Sequence, residues 1–174
     1  TDMAISECNR MASLIEKLGE FYRPSSGIKR AMDVNKAIED VILLTRSQLQ
    51  SKHIKLIKEL KPNLQKIHAV PDQIKHVLLN LINNAEQAIK DNKRGEIKIR
   101  TEKNKNNITI FITDNGCGID PLKIDNVFDP FYTTKPVKGT GLGLSTSYGI
   151  TNDHGGDICV ESKKDVGTTF IVMF

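Results

Sequence analysis

The sequence predicts an α/β two-layer sandwich, with a mixed, mostly antiparallel sheet of five or six strands packed against three helices. Apolar residues recur at helical spacing in long stretches, alternate with polar ones in short stretches, and the two patterns interleave along the chain. Repeats and low-complexity tracts are absent. Hydrophobic residues make up 39% of the 174 and charged residues 26%, the balance of a folded soluble chain rather than a disordered or fibrous one. One compact domain with an appendage fits that length.

The elements follow in order. From Ala4 to Tyr22, the apolar residues Ala4, Cys8, Met11, Ile15, Leu18 and Tyr22 alternate steps of four and three. That is the seam of a coiled coil or bundle, with an ordinary core helix as the alternative. The cluster Pro24, Ser25, Ser26 and Gly27 reads as a hinge. Asn35 is then expected to cap a helix to about Ser51, whose buried side is Ile38, Val41, Ile42 and Leu49. Short strands are expected at 53–60 and 67–70. Pro71 and Asp72 open a long helix with Ile74, Val77, Leu78, Leu81, Ile82, Ala85 and Ile89 along one face. Residues 96–102 and 108–113 alternate like antiparallel strands joined by a polar turn at 104–107. After an irregular, glycine-rich stretch, a helix over 142–154 leads into strands at 157–162 and 168–173.

Several function classes are disfavoured at this point. No apolar run approaches the roughly 18 residues that cross a bilayer, and the first residues lack a basic-then-apolar secretory pattern. The chain opens at Thr1, so it reads as a piece of something longer. A formal charge of +4 is too small for a nucleic-acid footprint without clustering, and no nucleic-acid partner is expected. Lys52, Lys55, Lys58, Lys61 and Lys66 spread over an expected edge strand and turn, where lysine guards exposed backbone against association. Cys8, Cys117 and Cys159 have neither metal-ligand spacing nor disulfide-scaffold density, which suggests a reducing cytoplasm. His53, His68, His76 and His154 are scattered and read as surface or packing residues.

Four local signals carry chemistry. Asn80, Asn84 and Gln87 form a second stripe on the long helix, either solvent-facing or turned toward a ligand. One neutral amide holds Mg²⁺ weakly, so a metal there would arrive with nucleotide phosphates. Asp114-Asn115-Gly116-Cys117-Gly118-Ile119 ends a strand. An ionised aspartate there accepts hydrogen bonds only, which suits the amine of adenine and not the carbonyl of guanine; an Asx-type turn is the other reading. Phe128-Asp129-Pro130-Phe131-Tyr132 roots the polar segment Thr133-Thr134-Lys135-Pro136-Val137-Lys138, either a plain surface loop or one that closes over phosphates. Gly139-Thr140-Gly141-Leu142-Gly143-Leu144-Ser145 opens a helix, where free amides and the dipole favour an anion. It is not a Walker loop, because no Gly-Lys-Ser/Thr follows.

Taken in order, Asn80 to Ala88, Asp114 to Ile119, Phe128 to Phe131 and Gly139 to Leu144 resemble the N, G1, F and G2 boxes of sensor histidine kinases. The resemblance covers residues 33–174, including Gly167-Thr168-Thr169-Phe170. It implies the Bergerat ATP-binding fold shared with mismatch-repair, gyrase and heat-shock chaperone ATPases, with ATP and Mg²⁺ as cofactors. By that resemblance Asn84 meets Mg²⁺ and phosphate oxygens, Asn80 the adjacent phosphate region, and Asp114 the adenine amine. Thr168 contacts the adenine edge, Gly116 and Gly118 line the base pocket, and Ile119 packs nearby. Gly139, Thr140, Gly141, Leu142, Gly143 and Leu144 surround the phosphates.

Two departures qualify the carry-over. Hydrolytic relatives place a glutamate where Asn80 stands, and an amide cannot act as the base, so transfer to a side chain is implied over hydrolysis. Many members carry a cation where Gln87 stands, so Lys135, with Lys138 as the alternative, is expected to supply charge. Complete kinases also carry a phosphoacceptor histidine with an acidic neighbour on the first helix of a dimerising hairpin, and no histidine here has that setting. Residues 1–24 resemble the second helix of the hairpin, 25–32 a linker and 33–174 the catalytic domain. The implied partners are the histidine-bearing helix of a homodimeric parent and a response-regulator receiver domain. The implied compartment is the cytoplasm, with any membrane anchor lying N-terminal to this segment.

Overall fold

Residues 27–89, 94–104, 107–133 and 141–174 are described by the structure, a computed structural model. The expected helix from Ala4 to Tyr22 lies outside them, as do Pro24 to Ser26 of the hinge, Lys135, Lys138, Gly139 and Thr140. Strand β1 (Arg30–Met32) leads into α1 (Val34–Ser51), then β2 (Lys55–Glu59) and β3 (Ile67–Ala69). Helix α2 (Pro71–Ala88) is followed by β4 (Glu96–Asn104), β5 (Asn107–Asp114) and a short 3₁₀ helix (Pro121–Asn126). Helix α3 (Gly143–Asp153), β6 (Asp157–Lys163) and β7 (Gly167–Met173) complete the order.

The predicted two-layer architecture is borne out. Five strands lie in the order β2-β4-β5-β7-β6, and only the β2–β4 pair is parallel. Strands β1 and β3 form a separate antiparallel pair, so residues 30–32 of the expected linker carry a strand. β2 is the edge on which lysines were expected: Lys58 bonds Glu39 at 2.8 Å, and Lys98 of β4 meets Glu59 at 3.1 Å.

The strand register explains the core. Directly paired residues on neighbouring strands face the same side, so the pairings line up in rungs. Thr101, Ile110, Val172 and Ile158 form one rung, and Ile99, Ile112, Phe170 and Val160 the next. All but Val160 are buried. Against that face packs the apolar stripe of α2, with Ile74, Val77, Leu78, Leu81, Ile82, Ala85 and Ile89 buried as the spacing predicted. Helices α1 and α3 flank it. On the opposite side of the sheet the Arg100 guanidinium lies 4.0 Å over the Phe111 ring, and the hydroxyls of Thr113 and Thr169 meet at 3.0 Å.

Two local expectations are corrected. The cap of α1 is Asp33, whose Oδ1 accepts the Lys36 N–H at 3.1 Å, not Asn35. The Asn35 amide is recruited to tertiary bonds: its Nδ2 donates to the Lys61 carbonyl at 2.8 Å and its Oδ1 accepts the Thr101 hydroxyl at 3.1 Å. Edge strand β2 begins at Lys55 rather than at 53, because His53 takes a left-handed φ of 54° and Ile54 N–H still closes on the Leu49 carbonyl.

Truncating Ile112, fully buried at the sheet centre, to alanine should cost about 2–5 kcal/mol by denaturant unfolding. Between α1 and α2, Lys75 hydrogen-bonds Asp40 at 2.7 Å and holds that carboxyl below its ordinary titration range. The Asp40 midpoint, followed by NMR, should therefore rise in Lys75→Met.

Candidate functional site

One rung breaks the apolar pattern. After the two rungs that are apolar except at Thr101, β5, β7 and β6 place Asp114, Thr168 and Ser162 side by side, with Ile97 of β4 at the far end. Asp114 and Thr168 are 4% exposed, which makes them buried polar groups on the face that otherwise forms the core. Burial of such groups requires partners. Asp114 Oδ1 accepts the Gly116 N–H at 2.7 Å, so the Asx-turn reading of this aspartate is realised. Thr168 Oγ1 lies 2.9 Å from Ser162 Oγ, which also accepts the Ile119 N–H at 2.8 Å.

The second component is α2. Asn80, Asn84 and Ala88 recur every four residues, hence on one face. At one end, Asn80 Nδ2 donates to the Gly143 carbonyl at 3.3 Å and to Ser147 Oγ at 3.5 Å, which holds the start of α3 against α2. At the other, the Ala88 carbonyl accepts the Cys117 N–H at 2.9 Å and docks the loop after Asp114. Eight residues at 1.5 Å each span about 12 Å, and half-buried Asn84 sits between the two docked elements.

The start of α3 is the third. Leu142 is its cap and makes no side-chain hydrogen bond to the first turn, so among the described residues no capping side chain competes with an anion for the early amides of this helix. Phe131 N–H donates to the Gly141 carbonyl at 2.9 Å and joins the two roots of the segment between them. Phe128 anchors the aromatic root against Tyr148 of α3, ring centroids 5.7 Å apart.

The structure thus links the elements that carry Asn80, Asn84, Asp114, Ile119, Gly141, Leu142, Gly143, Leu144 and Thr168: Asn80 bonds Gly143, Ala88 bonds the loop after Asp114, and Asp114 pairs with Thr168. Gly116 and Gly118 belong to that loop for a reason the sequence hid. A Cβ on Gly116 would lie 2.6 Å from the Ala88 carbonyl oxygen, and one on Gly118 would overlap the Lys163 carbonyl. These glycines let the loop press onto protein. Gln87 is exposed on the adjoining surface. Ser162 was missed: an isolated serine near a strand end has no local signature, and only the β6–β7 register sets it beside Thr168.

A separate cleft of about 310 Å³ near His68, His154 and Phe174 lies at the other end of the α2–α3 pair. His154 is a packing residue, as expected, with Nε2 accepting the Val70 N–H at 3.0 Å and Nδ1 2.7 Å from the Ile150 carbonyl.

The profile of the histidine kinase-, DNA gyrase B-, and HSP90-like ATPase family matches residues 69–174. The chain belongs to this family. Its sequence is 38% identical over 172 residues to the signal transduction histidine-protein kinase AtoS of Escherichia coli, covering 98% of this chain and 28% of AtoS. The catalytic domain of the histidine kinase ThkA superposes with a TM-score of 0.75 at 31% identity, covering 84% of this chain and 94% of that domain. ThkA in complex with the response regulator TrrA shares the fold at a TM-score of 0.76 and 24% identity, covering 99% of this chain and 49% of that one. The resemblance read from the four motifs is therefore borne out, and family membership implies that the domain binds ATP.

Gly118 has a φ of 65°, and its missing side chain faces the Lys163 carbonyl. Gly118→Ala should lower the melting temperature of the ATPase-family domain, since a left-handed non-glycine residue costs about 1 kcal/mol before the overlap is relieved.

Proposed function

We propose that this chain supplies the ATP-binding catalytic part of a sensor histidine kinase, which transfers the γ-phosphoryl group of ATP to a histidine outside the segment. What supports this reading is that α2 ties together the elements bearing three groups: its own Asn80–Asn84 face, the loop after the Asp114–Thr168 rung, and the start of α3, whose cap residue makes no side-chain bond. In this reading Asp114 accepts the adenine amine, and the α3 amides with Asn80 hold the phosphates. Lys135 adds positive charge, with Lys138 as the alternative.

Mg²⁺ fits the donor set through one carbonyl oxygen, that of Asn84. Among the described residues no group of three or more His, Cys, Asp or Glu could hold an ion, so phosphates and water would complete an octahedron. A metal bound there would neutralise phosphate charge.

Asn80 supports transfer over hydrolysis. Its amide donates to Gly143 and Ser147, and it has no group able to take a proton from water. What the protein contributes is placement: the histidine nitrogen attacks the γ-phosphorus in line as the bond to the β-bridging oxygen breaks, and ADP leaves. The phosphoryl group then passes to an aspartate of a response-regulator partner; the ThkA–TrrA complex supports a partner of that class. The parent is proposed to be a homodimer with this domain in the cytoplasm.

Mixed with ATP, Mg²⁺ and the purified histidine-bearing hairpin of its parent, the chain should produce acid-labile phosphate on histidine. Free phosphate with no labelled histidine would mark a hydrolytic ATPase instead, and binding without either a nucleotide-sensing module. Asp114→Ala should weaken ATP binding about 5- to 150-fold by calorimetry, the equivalent of about 1–3 kcal/mol, while unfolding stays cooperative.

A further inference from the structure

We propose that Ser162 is a positioning residue that fixes the direction of the Thr168 hydroxyl and so sharpens selection of adenine over guanine nucleotides. The inference rests on the ATP-binding reading above and deepens it.

The argument is a count of protons. Ser162 Oγ has one O–H to give. It donates to the Gly167 carbonyl at 3.0 Å, and a carbonyl can only accept. One of its two lone pairs accepts the Ile119 N–H at 2.8 Å. The remaining contact, 2.9 Å to Thr168 Oγ1, must then run from threonine to serine, an assignment made from the donor and acceptor inventory. With its only proton turned toward β6, Thr168 has nothing but lone pairs to offer elsewhere.

Thr168 stands directly opposite Asp114 in the β5–β7 register, with both side chains on the same face. The rung therefore presents acceptors from two neighbouring residues and a donor from neither. An exocyclic amine meets such a surface favourably, directly or through a water. The carbonyl that guanine carries at that place would be left unpaired. If Thr168 were free to rotate, its hydroxyl could donate to that carbonyl, and part of the discrimination would vanish.

The same serine ties the loop at Ile119 to the β6–β7 turn, so its removal also perturbs the pocket generally. The ratio of ATP to GTP affinity separates the two effects. Loop disorder weakens both nucleotides together, whereas a released Thr168 hydroxyl moves the ratio.

The test measures ATP and GTP dissociation constants by calorimetry on the full chain and its variants. Ser162→Ala should weaken ATP and lower the ATP preference about fivefold to tenfold, while Ser162→Thr, which keeps the hydroxyl, should retain it. In a Thr168→Val background, Ser162→Ala should leave the ratio unchanged, because the hydroxyl it acts through is gone. Should Ser162→Ala fail to fold, the nearly isosteric Ser162→Cys should show the same loss of preference. An equal weakening of both nucleotides in Ser162→Ala or Ser162→Cys would overturn the positioning role and leave ATP binding intact. Absence of ATP binding by the unaltered chain would overturn the underlying reading and this inference with it.

Discussion

Everything in this domain depends on α2 serving two surfaces at once. One stripe, Ile74 to Ile89, is buried against the sheet, and burial of that apolar area is the main favourable term in forming the layer. The neighbouring stripe, Asn80 and Asn84, remains half-buried and polar. Because both stripes belong to one rigid helix, packing the first determines where the second points. The start of α3 at Asn80 and the loop at Ala88 are then tied by hydrogen bonds to the same helix.

The sheet makes the same economy. Its inner face is apolar over two rungs except at Thr101, and then turns polar at Asp114, Thr168 and Ser162, where α2 ends and the loop begins. A buried carboxylate in the middle of that face would be costly. At the rim it takes the Gly116 amide, at the place where the proposed adenine contact would be made. An Asx turn and a base-reading carboxylate are therefore compatible: one oxygen shapes the loop that brings the site together.

Much of the fold was legible from periodicity alone. The α2 stripe, the β4–β5 alternation and the β6–β7 pair came out as the spacing required, because one buried face imposes a period on each element. The misreadings were local and had tertiary causes. Asn35 reads as a cap, yet Asp33 does the capping because the Asn35 amide is committed to Lys61 and Thr101. Gly116 and Gly118 carry a further constraint that the sequence hid, since each presses onto the backbone of Ala88 or Lys163.

Spacing within the chain was enough to pick out the ordered boxes from Asn80 to Leu144, with their amides, carboxylate and glycine-rich helix start, and through them the family. That is so because each motif is local and its residue types are dictated by what a phosphate, a purine or a sharp turn demands. Only the tertiary structure decided how they meet. The row Asp114–Thr168–Ser162 joins three strands through register, and the grip of Asn80 on Gly143 joins residues 63 apart. Register and helix docking are set by burial of the whole face, and no local pattern contains that information.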